Sequence, residues 1–170
     1  MKRILLPIAL AAALAGGTMG AGRDAVETRI CASLEEASRG CPGPVLLVFF
    51  STDCPLCYDD LFESRYLVDK GPWPVSVVGV FSGLRDDLRA FLEKYAWTLP
   101  VVLDRRKVLF KKYKVDAVPF KALLFGTESV YRDDAYVDPA GRREELKRCL
   151  TRLFYRSPGG SPGAGSSPRR

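Results

Sequence analysis

Val45-Leu46-Leu47-Val48-Phe49-Phe50-Ser51-Thr52-Asp53-Cys54-Pro55-Leu56-Cys57 is the stretch on which the reading of this chain turns. Its first six residues are an unbroken β-branched and aromatic run, the pattern of a strand covered on both faces. Turn residues follow, and Pro55 suits the first position of a helix, where a missing N–H costs nothing. Cys54 then caps that helix, where unpaired N–H groups and the helix dipole stabilise an anion. That setting favours the thiolate, the reactive form of cysteine. Cys57, one turn on, is within reach to close a disulfide with Cys54.

The helix is expected to extend to about Val68 and to break at Lys70-Gly71-Pro72. Val75 to Phe81 is a second continuous apolar run, and Asp86 to Tyr95 places Leu88, Phe91, Leu92 and Tyr95 at helical spacing. Pro100 to Asp104 reads as a short extended segment, Val108 to Tyr113 as a helical turn or two. Ala117 to Phe125 is another strand after Pro119, and Gly126 to Ser129 a turn before a last strand, Val130 to Tyr136. Asp138 caps and Pro139 opens a final helix with Leu146, Cys149, Leu150 and Leu153 on one face. Upstream, Ser33-Leu34-Glu35-Glu36 fits a capping box for a short helix from Ser33 to Arg39. Trp73 and Trp97 flank loops and read as residues at the rim of the core. Strand–helix alternation in the first half implies a parallel β-α-β unit, and the later hairpin an antiparallel edge. The expected fold class is α/β, a mixed central sheet with helices on both faces.

The 170 residues suit one domain with terminal segments outside it. Lys2 and Arg3, an apolar stretch from Ile4 to Ala15 and small residues through Ala21 have the three-part form of a secretory signal, residues 1–21. Its apolar part is shorter than the ~20 residues a spanning helix needs; an uncleaved anchor is the alternative. Residues 22–43 read as an N-terminal extension with a short helix and 44–155 as the folded domain. Residues 156–170 form a Pro/Gly/Ser tail whose composition cannot bury a core. The formal charge is +6, but Lys2, Arg3, Arg156, Arg169 and Arg170 are terminal, leaving the folded part near +1. That balance makes no case for a nucleic-acid partner.

With no histidine, a Cys-His protease and the usual His-containing zinc and copper sites are excluded, and with no second cysteine pair near Cys54 and Cys57 no metal site is expected. Chemistry must run on thiols, carboxylates and backbone, and thiol–disulfide exchange implies no organic cofactor. Five cysteines in an exported chain make disulfide exchange the natural use of a close pair. Cys149 sits among leucines as a small core residue. Cys31 and Cys41 suit a disulfide by compartment, but a straight helix between them would hold them about 15 Å apart. Asp53, Asp59 and Asp60 surround the dithiol; carboxylates directed at it would disfavour a thiolate, favour the disulfide and make the couple a better reductant, the alternative being that all three point to water. Arg105, Arg106, Lys107, Lys111, Lys112 and Lys114 form a dense basic cluster, by default a solvated face and otherwise a docking patch for an acidic partner.

A Cys-x-x-Cys beside a β-α-β pattern resembles the thioredoxin superfamily. Val115-Asp116-Ala117-Val118-Pro119 before Phe120 to Phe125 is similar to the segment that carries that family's cis-proline. Leu99 to Asp104, a basic run and Tyr113-Lys114-Val115 resemble the exported branch of TlpA- and ResA-like thiol–disulfide oxidoreductases. The resemblance implies a thioredoxin-like fold with Cys54 as attacking thiolate, Cys57 as resolving thiol and a cis Pro119 beside the sulfurs. It implies substrate contacts at Pro55, Leu56 and Val118. Asp60 would accept a proton, since the buried acid of relatives falls here at Val48. It implies a periplasmic or extracytoplasmic protein that reduces or exchanges disulfides in exported proteins, with cytochrome c maturation one route. Its electrons would come from a dithiol donor, membrane-bound in one version. Two rivals stand beside it. One is a peroxiredoxin-like thiol peroxidase, since Ser51-x-x-Cys54 is faintly similar to that nucleophile motif although Leu47 replaces its proline. The other is a non-catalytic binding or copper(I)-carrier module.

Overall fold

The alternation of side chains along Val45–Phe50 decides how the layers assemble. In the computed structural model, which describes residues 29–155 apart from 42 and 135, this strand is β2, and all six residues are buried. Leu46, Val48 and Phe50 enter one core, Val45, Leu47 and Phe49 the other, as a two-residue period requires. The expected signal at 1–21 and tail at 156–170 lie outside the described residues.

In chain order the elements are β1 (Ile30–Cys31), α1 (Leu34–Ala37), β2 (Val45–Phe50), α2 (Pro55–Lys70), β3 (Ser76–Phe81), α3 (Arg85–Lys94), β4 (Val101–Leu103), α4 (Val108–Lys112), β5 (Phe120–Phe125), β6 (Glu128–Arg132) and α5 (Pro139–Tyr155). The sheet order is β1-β4-β3-β2-β5-β6. Neighbours run parallel from β1 through β2, whereas β5 is antiparallel to β2 and β6 antiparallel to β5. Helices α2, α3 and α5 send Leu61, Leu88, Leu92, Leu146 and Leu150 into one core; Ala37 of α1 and Tyr113 after α4 belong to the other. The mixed sheet carries helices on both faces, the thioredoxin-like α/β class.

Three details depart from the expectation. Strand β1, whose two residues are too few to show a period, pairs Ile30 with Val101 at the sheet edge. The last strand starts and ends earlier than Val130 to Tyr136. Gly126, at φ +61°, closes a two-residue turn so that Phe125 already faces Glu128, and Asp133 then turns inward to accept the Lys121 N–H at 2.8 Å. Trp97 is fully buried, not at the rim. The left-handed turn at Ala96 brings the Trp97 backbone N–H to Leu92 O and the Trp97 ring against Phe62, edge to face. Trp73 does sit at the rim.

Cys31, Cys41 and Cys149 are free thiols. Cys31 faces the core, and burial, with Glu36 adding to it, pushes its thiol up from the ordinary cysteine range. Cys149 packs partly against the core beside Val130 O at 3.6 Å, and burial raises its thiol too.

Candidate active site

A helix that begins at the end of a central strand must satisfy its first N–H groups, and here sulfur helps to do so. Cys54 is the N-cap of α2, with Pro55 in the first turn. The Cys57 N–H donates to Cys54 Sγ at 3.1 Å and to Cys54 O at 3.1 Å. Cys54 and Cys57 form a disulfide, their Cα atoms 5.3 Å apart. Cys57 is fully buried against the core, whereas Cys54 is partly exposed and Leu56 two-thirds exposed. A partner can therefore reach only the first sulfur directly.

Across from the pair, the Val118–Pro119 peptide bond is cis, and Val118 O lies 3.9 Å from Cys54 Sγ. The Arg142 guanidinium of α5 donates to Pro119 O at 3.5 Å, tying this loop to the last helix. On one side of Cys54 lies a groove of about 400 Å³ lined by Asp53, Tyr58, Asp59, Phe91 and Tyr95. Its aromatic wall is continuous, with Tyr58 and Tyr95 ring centres 4.5 Å apart and Phe91 and Tyr95 4.8 Å. On the other side, a groove of about 700 Å³ runs from Phe50 and Ser51 past Val118 to three lysines.

Asp60 is not isolated. Its Oδ2 accepts from Lys121 Nζ at 2.5 Å, and the same ammonium lies 3.5 Å from Asp133 Oδ2. Lys121 and Asp133 side chains are 6% and 0% exposed, so these charges are paired inside the protein. Arg142 approaches Asp133 from α5 at 3.7 Å, and the Tyr131 hydroxyl donates to it at 2.7 Å. Burial first, and then this hydrogen bond to a carboxylate, hold the Tyr131 phenol far above its ordinary range. The register explains the meeting. Lys121 pairs with Val48 and points, two residues before Leu123, to the face occupied by α2 and α5. A carboxylate is thus absent from Val48, while its cross-strand neighbour brings a cation to the same layer.

The structure brings together Cys54, Cys57, Pro55, Leu56, Val118 and Pro119, with Asp60 one turn beyond Cys57. The sequence pattern did not single out Lys121 or Asp133. The signal was a lone lysine in the apolar run Phe120 to Phe125, since a charge in a central strand needs a partner. Among the described residues, no group of three or more cysteine or carboxylate side chains converges as a metal site.

Fold and paired sulfurs together place the chain in the class of thiol–disulfide oxidoreductases built on the thioredoxin fold. More particularly, it belongs to the AhpC/TSA family, whose model matches residues 30–142. Among solved structures it is similar to StoA from Bacillus subtilis, at 25% identity and TM-score 0.51, covering 62% of this chain and 81% of StoA. The exposed lipoprotein thioredoxin Etrx1 of Streptococcus pneumoniae shares 19% identity at TM-score 0.54, covering 66% of this chain and 89% of its own. A secreted disulfide oxidoreductase of Mycobacterium tuberculosis shares 19% at TM-score 0.51, covering 63% and 80%. No curated protein sequence matches the chain.

Proposed function

We propose that the protein is an exported reductase or exchanger of disulfides in other exported proteins. The observation that carries this reading is a disulfide with one buried and one reachable sulfur, set at a helix start between two open grooves. In the reduced protein, the Cys54 thiolate attacks one sulfur of a substrate disulfide. That bond breaks, one substrate thiolate leaves and takes a proton, and a mixed disulfide joins Cys54 to the substrate. The Cys57 thiolate then attacks Cys54 Sγ and expels the second substrate thiolate, so two electrons pass to the substrate. A dithiol protein resets the pair.

Pro55, Leu56 and Val118 flank the reachable sulfur and would contact the substrate, with Pro119 shaping the wall opposite. Asp60, on the helix turn after Cys57, would take the Cys57 proton as the resolving thiolate forms, its ion pair with Lys121 holding the carboxylate in place. Export rests on the signal-like start of the sequence and on the secreted or exposed character that two proteins of this fold carry in their names. A part in cytochrome c maturation is one such use.

The reading is tested by stoichiometry. Reduced, desalted protein mixed with an oxidised peptide should lose its Cys54–Cys57 thiols one pair per peptide disulfide reduced. Peptide left oxidised, or hydrogen peroxide consumed far faster than any disulfide, would replace this reading with a binding module or a peroxidase respectively.

A further inference from the structure

The larger groove beside the disulfide carries a charge pattern that selects among substrates. Lys107, Lys111 and Lys114 line it; Lys111 belongs to α4, while Lys107 before the helix and Lys114 after it are in left-handed turns, at φ +54° and +51°, that lead the chain into and out of α4. This segment is held rigid from below. The Asp104 carboxylate is buried and accepts the N–H groups of Val108 and Leu109 at 2.8 Å and of Phe110 at 3.1 Å. Three ammonium groups are thereby presented along one wall, against a single lining carboxylate, Asp116. Ser51 and Val118 form the end of the groove next to Cys54. The groove on the opposite side of the disulfide carries Asp53 and Asp59 instead.

We infer that the preferred substrate is a disulfide-bearing polypeptide segment with carboxylates on one side of its reacting cysteine, the side that lies along Lys107, Lys111 and Lys114. The inference rests on the oxidoreductase reading and adds its specificity. Ammonium groups along one wall attract such a segment during encounter and fix its direction across the sulfurs. Asp53 and Asp59 repel the same carboxylates from the other groove, so that the reversed orientation is disfavoured. The remaining basic residues of the cluster, Arg105, Arg106 and Lys112, do not line the groove, and Lys112 stacks on the Tyr113 ring at 5.4 Å.

The test uses the reduced full chain and synthetic peptides that share one intramolecular disulfide. They carry three glutamates before it, three glutamates after it, or three glutamines. One glutamate peptide should exceed the glutamine peptide in kcat/KM by ~10-fold at low salt, an advantage that shrinks as sodium chloride rises. The other glutamate peptide should show no such gain. Replacing Lys107, Lys111 and Lys114 together by glutamine should erase the advantage, whereas Arg105→Gln, Arg106→Gln and Lys112→Gln together should preserve it. A wild-type chain that reduces bis(2-hydroxyethyl) disulfide and all three peptides alike overturns the groove assignment alone. An advantage that persists in the groove variant also overturns it. A chain that reduces none of these disulfides overturns the oxidoreductase reading and this inference with it.

Discussion

At the scale of single residues, the two sulfurs differ by position more than by chemistry. Cys54 is reachable and caps α2; Cys57 is sealed behind it. Cys54→Ser should therefore abolish disulfide reduction, while Cys57→Ser should accumulate a mixed disulfide between Cys54 and substrate, visible as an intact adduct by mass spectrometry. Recovery of wild-type turnover in Cys57→Ser would refute the division of labour. Lys121 supports this site from below. Removing its ammonium leaves Asp60 and Asp133 facing each other's charge without their shared cation. Lys121→Met should cost about 3 kcal/mol in denaturant unfolding. Adding Asp60→Asn to Lys121→Met should return part of that loss, because one unpaired, partly buried carboxylate is gone. A Lys121→Met protein as stable as wild type would mean that the cluster is not a folding determinant.

At the scale of elements, α4 is too short to be stable alone and depends on its cap. Asp104→Ala orphans three backbone N–H groups at once and should cost about 2 kcal/mol, at the upper end for a lost cap. Amide exchange should speed up at Val108, Leu109 and Phe110 and remain slow in β2; uniform exchange changes would argue against a local role. Elements with a strong local signal were legible in the sequence. The unbroken run Val45–Phe50, the Pro55 start of α2 and the Asp138 cap of α5, which accepts the Ala140 and Gly141 N–H groups, each declare themselves within a few residues. What escaped depends on distant partners. Ile30 and Cys31 become a strand only because Val101 and Val102 lie beside them, and Trp97 is buried by the turn at Ala96. Lys121 is explained by carboxylates 61 and 12 residues away in the chain. In the site, the motif marked the sulfurs and their neighbours, whereas sorting the basic cluster into groove and solvent required the fold.

At the scale of the whole molecule, the buried cluster that joins α2, β5 and α5 links stability to alkaline pH. Tyr131 donates to Asp133 only while protonated, and its folded-state pKa lies above the ordinary value of 10. Its contribution is therefore fully present below pH 10 and fades as pH rises beyond it, where the unfolded chain ionises first. Tyr131→Phe should be about 1–2 kcal/mol less stable at neutral pH and show a flatter loss of stability above pH 10. Parallel curves for the two proteins would exclude Tyr131 as the cause. The central claim, that Cys54 and Cys57 form a reversible couple poised for reduction, is open to one direct measurement: equilibration of the native protein in graded dithiothreitol buffers, followed by alkylation and intact mass. The protein should gain two alkyl groups in a single two-electron transition, with a midpoint near or below about −250 mV. A pair that gains no label in the folded protein, or a midpoint near −120 mV, would contradict that claim.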